Sequence, residues 1–190
     1  RLPYRSLGVA ASLALVGFIA FAVVSAVHRT SGTFTTVPPP SELHAGEHAP
    51  EFTLPRLGGG APVTSADRGA HALVVNFFAS WCTNCVAELR AFSSIAKHPG
   101  ATRFVGVDTS DPSPREALAQ VANAGIPYPV GVDSSGSMAD RYLVAALPVT
   151  FFVAPNGSIE GEIFGGATAT QLRGWLARLN GHTSQEARSR

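Results

Sequence analysis

The 190-residue sequence contains two cysteines, one methionine and one lysine, and only 14% of its residues are charged. Two thiols cannot build the multi-bridge framework that staples a small secreted scaffold, so whatever they do they do as one pair. The charged fraction lies well below the roughly 25% of an ordinary soluble domain. Net charge is +1, from 14 basic and 13 acidic residues. That balance offers no basic face to a phosphate backbone, which argues against nucleic acid as a partner. Lys97 is the one lysine, so arginine carries nearly all the positive charge. No internal repeat is visible. At 45% hydrophobic the chain is too apolar to be disordered throughout. Its length suits one medium domain with a short appendage rather than two full domains.

Much of the apolar excess sits near the start. Residues 7–27 carry no charge and are interrupted only by Gly8, Ser12, Gly17 and Ser25. As a helix this stretch would be about 31 Å long, close to the ~30 Å of a bilayer core. Arg1 and Arg5 precede it and His28 and Arg29 follow, which orients residues 1–6 to the cytoplasm. The stretch reads as a transmembrane anchor. The competing reading is a cleaved signal, with a small residue at Val24-Ser25-Ala26, although a signal's apolar region is usually about 7–15 residues. Both readings send the rest of the chain outside the cytoplasm. Residues 28–49, with Pro38-Pro39-Pro40, read as a stiff, extended linker. His44 and His48 stand four apart, but Gly46 and Pro50 argue against a helix that would aim them at one metal ion.

Beyond the linker, strands alternate with helices. Short strands are expected at Glu51–Leu54 and Pro62–Thr64, around Gly58-Gly59-Gly60. Leu73-Val74-Val75-Asn76-Phe77-Phe78 has the continuous apolar character of a strand buried on both faces. A helix should follow from the cysteine segment to about Lys97, before Pro99-Gly100. The pattern then predicts strand Arg103–Asp108, helix Pro114–Ala124, strand Tyr128–Val132, helix Ser137–Val144 and strand Thr150–Val153. Asn156-Gly157 should turn this last strand into Ser158–Phe164, and a final helix is expected at Thr170–Leu179. Residues 50–180 thus form an α/β domain with a mixed sheet, and residues 181–190 read as a polar, frayed tail.

Cys82-Thr83-Asn84-Cys85 lies where a strand becomes a helix. A cysteine at a helix N-terminus sits beside unpaired N–H groups and the positive end of the macrodipole, which stabilise a thiolate. A second cysteine nearly one turn further in is shielded and can resolve a mixed disulfide. A zinc site would need two more ligands, and the six histidines are scattered. Haem attachment needs a histidine after the second cysteine, where Val86 stands. A static disulfide across so short a loop would add little stability.

Val75-Asn76-Phe77-Phe78-Ala79-Ser80-Trp81-Cys82-Thr83-Asn84-Cys85 resembles the active-site segment of thioredoxin-like proteins, specifically the membrane-anchored TlpA/ResA/DsbE group. Ala49-Pro50-Glu51-Phe52-Thr53-Leu54 resembles that group's opening strand, and Leu147-Pro148-Val149-Thr150-Phe151-Phe152 its cis-proline segment. The Pro114–Val132 helix and strand resemble the insertion that separates the group from plain thioredoxin. The resemblance implies a thioredoxin-like fold, a central mixed sheet flanked by helices. It implies Cys82 as nucleophile, Cys85 as resolving thiol and Pro148 as a cis-proline opposite the pair. Leu147 backbone groups would then pair with an extended client. Trp81 reads either as a shield for the pair or as plain packing. Asn76 stands where thioredoxin has a buried aspartate and cannot relay a proton. Glu88, one turn beyond Cys85 on the same helical face, occupies the position of a glutamate common in the group. There it would tune the thiol pKa values and accept a proton. Thr83 and Asn84 set the local field of the thiolate.

The implied activity is reduction of disulfides in extracytoplasmic clients such as apocytochromes c. No cofactor is implied, and a transmembrane thiol transporter would supply the electrons. An oxidase that installs disulfides is the alternative within the same chemistry. A copper(I) metallochaperone-type binding module is the alternative from another class. A peroxiredoxin would carry a P-x-x-x-T-x-x-C pattern, which neither cysteine has.

Overall fold

The apolar run after the linker forms the central strand of a five-stranded sheet. In the computed structural model, which describes residue 43 and residues 45–188, this strand is β3 (Ala72–Phe78), and every one of its residues is buried. It follows a two-stranded antiparallel pair, β1 (Thr53–Leu54) and β2 (Val63–Thr64), joined through the glycine turn. After β3 come α1 (Thr83–Ala96), β4 (Thr102–Thr109), α2 (Pro114–Ala124), β5 (Val130–Asp133) and α3 (Ser137–Arg141). The chain ends with β6 (Val149–Val153), β7 (Ile159–Phe164) and α4 (Ala169–Arg188). Sheet order is β5-β4-β3-β6-β7, with β3, β4 and β5 parallel and β6 and β7 antiparallel to their neighbours. The fold is the mixed α/β sheet that the alternation implied, in the thioredoxin-like form that the resemblance implied.

Alternation along β3 divides the core in two. Leu73, Val75 and Phe77 pack with Val105, Val107, Phe151 and Tyr142 on one face. Ala72 and Val74 pack with Phe92, Phe104, Phe152, Leu172 and Leu176 on the other, under α1 and α4. Asn76 shares this second face and is its polar position, fully buried. Phe78, at the end of the strand, packs with Cys82, Cys85, Leu89 and Val130.

The differences from expectation are local. β5 begins at Val130 rather than Tyr128, because Pro129 has no N–H for the ladder. Tyr128 instead stacks on Phe104 with ring centroids 5.6 Å apart. α3 stops at Arg141, where Tyr142 leaves helical geometry and Leu143 takes a φ of 55°. The segment from Gly181, expected as a frayed tail, continues α4 to Arg188. The anchor at 7–27 and residues 28–42 and 44 of the expected linker lie outside the described residues. The rest of that stretch is not a free linker: Gly46 N donates to Ile159 O at 2.8 Å, Ile159 N to Glu47 O at 2.7 Å and Ala49 N to Gly157 O at 2.9 Å, and Leu43 and Ala49 pack on the core. Among those described, no helix is long and apolar enough to cross a membrane.

Candidate functional site

β3 delivers the chain to the cysteines at its C-terminal end. Cys82 is the N-cap of α1, with extended φ and ψ of −84° and 101°, and its Sγ accepts from Cys85 N at 3.3 Å. The two sulfurs are joined, 2.03 Å apart, across a Cα–Cα distance of 5.3 Å. Cys85, inside the first turn, is wholly buried, whereas Cys82 retains 6% exposure. Thr83 and Asn84 are exposed beside it. Trp81 is 58% exposed, with its indole N–H 3.4 Å from Ser110 O.

The Leu147–Pro148 peptide bond is cis, at the start of β6. Leu147 is half-buried against the cluster that contains Cys82 and Cys85, and Pro148 is buried. The loop after β7 closes another side, since a Cβ on Gly166 would lie 3.8 Å from Asn84 O.

Below the pair, Glu88 is 2% exposed. Its carboxylate accepts from Asn76 Nδ2 at 2.9 Å, from Thr150 Oγ1 at 3.2 Å and from Ala167 N at 2.9 Å. Asn76 Nδ2 also donates to Thr150 Oγ1 at 3.1 Å, while Asn76 Oδ1 has no partner. Burial pushes the Glu88 carboxyl above the usual carboxylate range, and the Ala167, Asn76 and Thr150 hydrogen bonds only partly offset it. The carboxyl thus lies one turn beyond Cys85 on α1, buried and with its pKa raised.

The sequence reading missed two further acidic residues at the same end of the sheet. Asp111, just beyond β4, accepts from Ser80 N at 2.5 Å, Ser80 Oγ at 3.0 Å and Ser113 N at 2.9 Å. It thereby ties down the residue two before Cys82. Asp108 is completely buried opposite Phe78, and neither of its oxygens has a donor. Period-2 alternation from Phe104 places Asp108 on the cysteine side of the sheet. That alternation was the available signal. Thr150 and Ala167, which complete the Glu88 site, carried none.

Comparisons with known proteins agree with this geometry. The AhpC/TSA family model matches residues 45–161. The thiol-disulfide oxidoreductase ResA of Oceanobacillus iheyensis is 26% identical over 168 residues, covering 86% of this chain and 83% of its own. The thiol:disulfide interchange protein HelX of Rhodobacter capsulatus is 36% identical over 126 residues, 65% of this chain and 70% of its own. A putative thiol:disulfide interchange protein DsbE from Chlorobium tepidum superposes with a TM-score of 0.66 at 25% identity, covering 73% of this chain and 99% of its own. A secreted disulfide oxidoreductase of Mycobacterium tuberculosis gives a TM-score of 0.62 at 26% identity, over 67% of this chain and 96% of its own.

Proposed function

The chain belongs to the AhpC/TSA family as a thiol-disulfide oxidoreductase of the ResA/DsbE type, and from that premise we propose that it reduces disulfides in extracytoplasmic client proteins while tethered to the membrane by residues 7–27. The observation that carries this reading is the asymmetry of the pair: Cys82 caps α1 and keeps a small exposed area, whereas Cys85 is wholly buried inside the first turn. In the reduced enzyme the free N–H groups and dipole of α1 favour the Cys82 thiolate. That thiolate attacks one client sulfur, forming a mixed disulfide and releasing the other client sulfur as a thiolate, which takes up a proton. Cys85 then loses its proton and attacks Cys82 Sγ. The second client thiol departs, and the Cys82–Cys85 disulfide remains. Glu88 is the proton acceptor for Cys85.

Apocytochromes c awaiting haem attachment are the proposed clients, and a transmembrane thiol transporter returns two electrons to the disulfide. Trp81 precedes Cys82 and Leu147 packs against its cluster, and the Leu147 backbone offers an extended client a strand-like partner. The direction of electron flow is tested by equilibrating the full chain with glutathione and dithiothreitol buffers. A potential near the roughly −270 mV of thioredoxin supports the reductase, and one near about −120 mV supports an oxidase instead.

A further inference from the structure

Two carboxyl groups meet in a closed space beside the active-site loop. Asp111 is the better provided for, with three donors from Ser80 and Ser113. Asp108 has no donor on either oxygen and no exposure. The group it faces is the Asp111 carboxylate, within hydrogen-bonding reach. Two acceptors can bond to each other only if one of them carries a proton.

We propose that Asp108 is held as the neutral acid, donates its proton to Asp111, and through Asp111 and Ser80 positions the Trp81-Cys82 segment, so that its ionisation slows attack by Cys82. Asp108 is therefore a positioning residue, not a catalytic one. With the proton in place the pair carries one negative charge, and Asp111 keeps its hold on both Ser80 groups. When the proton leaves to solvent, two like charges share a buried site near the thiolate. The second charge both opposes the Cys82 thiolate and strains the Asp111 tether.

The electrostatics point the same way. Burial, then the Asp111 charge and hydrogen bond, push Asp108 up to about 7. Partial burial pushes Asp111 upward too, but donors from Ser80, Ser113 and Asp108 outweigh it and hold its carboxyl below the ordinary range. The other ionisable groups on this face are Cys82, Cys85 and Glu88 from α1 and Tyr128 before β5. At the rim, Arg90 of α1 and Glu116 of α2 line one groove with Ser80. Asp133 of β5 points to the opposite face, where it accepts from Thr109 and caps α3.

This inference rests on Cys82 being the attacking thiol, and its test separates the two ideas. The reduced full chain, in detergent, is alkylated with iodoacetamide across a pH series, and the labelled cysteine is read by mass spectrometry. A second inflection near about 7 is expected in the Cys82 rate profile, beyond the thiol's own. Asp108→Asn keeps a donor for Asp111 but cannot ionise, so it should lose that inflection. One unit above the transition it should react roughly three- to tenfold faster than wild type, the equivalent of half to one unit of thiol pKa. One unit below, the two rates should match. Independently, carbon-13 titration of aspartate-labelled wild type should show one carboxyl ionising near about 7. An inflection that survives Asp108→Asn, or aspartates that all titrate in the ordinary range, overturns the proposal. If Cys85 is labelled first, the order of attack falls and with it the slowing of Cys82, and the carboxyl titration still decides whether the acid pair exists.

Discussion

Asn76 donates to Glu88 across 2.9 Å in the buried layer between β3 and α1. The strand contributes the amide and the helix above it contributes the carboxyl. The polar position on the strand acts as a donor, to Glu88 and to Thr150. Because Asn76 Oδ1 is unpartnered, rotation of this amide can offer an acceptor when Glu88 takes up a proton. The couple can therefore serve both charge states of the carboxyl.

Replacing the resolving thiol should stall the reaction halfway. Cys85→Ser is expected to accumulate a mixed disulfide between Cys82 and a client or donor, because attack proceeds and resolution does not. Cys82→Ser should accumulate none. Non-reducing gels followed by mass spectrometry of the trapped species read the result, and trapping by Cys82→Ser would reverse the assignment.

Glu88→Gln removes the buried charge but leaves an oxygen for Ala167 N. The thiol pKa values should fall by roughly half a unit to one unit, a three- to tenfold gain in thiolate at a given pH. The change should appear only above the pH at which Glu88 itself ionises. Thiolate absorbance in the ultraviolet measures it, and identical titrations in both proteins would return Glu88 to a purely structural role.

Stability should fall as pH rises from the ordinary carboxylate range toward neutrality. Asp108 and Glu88 both have folded-state pKa values raised by burial, so the native protein holds protons that the unfolded chain has released. Their stabilising effect is complete below the unfolded carboxylate pKa and lost as pH rises through the folded one. For Asp108 that window runs from its ordinary 3.8 to about 7. Urea unfolding at stepped pH should show the decline in wild type and a smaller one in Asp108→Asn. Equal slopes in the two proteins would contradict the buried acid.

Gly161 is a packing position on β7. A Cβ there would lie 2.3 Å from Trp175 Cη2, and that ring is stacked on Phe152 at 4.7 Å and 8°. Arg178 covers Trp175 at 4.9 Å, so the indole has little room to retreat. Gly161→Ala should lower stability by about 1–3 kcal/mol without altering the thiol titrations. A thermal midpoint equal to wild type would show that the indole moves aside freely.

What the sequence made legible was whatever depended on near neighbours. The β3 run, the cysteine turn, the Asn156-Gly157 hairpin and the Pro114 helix start each carry a local signal. The last helix was read only to Leu179 because Gly181, Thr183 and Ser184 look like a tail, yet α4 persists to Arg188. The Glu88 environment was half legible. Its position on α1 follows from helical spacing, but its donors come from residues 12, 62 and 79 positions away. Asp108 was hidden for the opposite reason. It reads as the last residue of a strand, where a charged side chain usually marks the exit to solvent, and the alternation from Phe104 that puts it inside is confirmed by its register opposite Phe78.

Those unequal separations also set an order in time. Cys82 and Cys85 are one turn apart, a distance closed as soon as α1 flickers into existence, whereas the strand that seals them, β6, is made some sixty residues later along the chain. Pairings of such long range are the late events of folding. A chain emerging N-terminus first therefore presents a chemically complete dithiol before it presents the pocket that disciplines it. In an oxidising compartment that exposure would be hazardous for a protein rich in cysteine. Here the two thiols have only each other as intrachain partners, and their bond spans too few residues to hold distant parts of the chain in a wrong arrangement. Premature oxidation therefore leaves the nascent chain free to finish folding around a site already in one of its two working states.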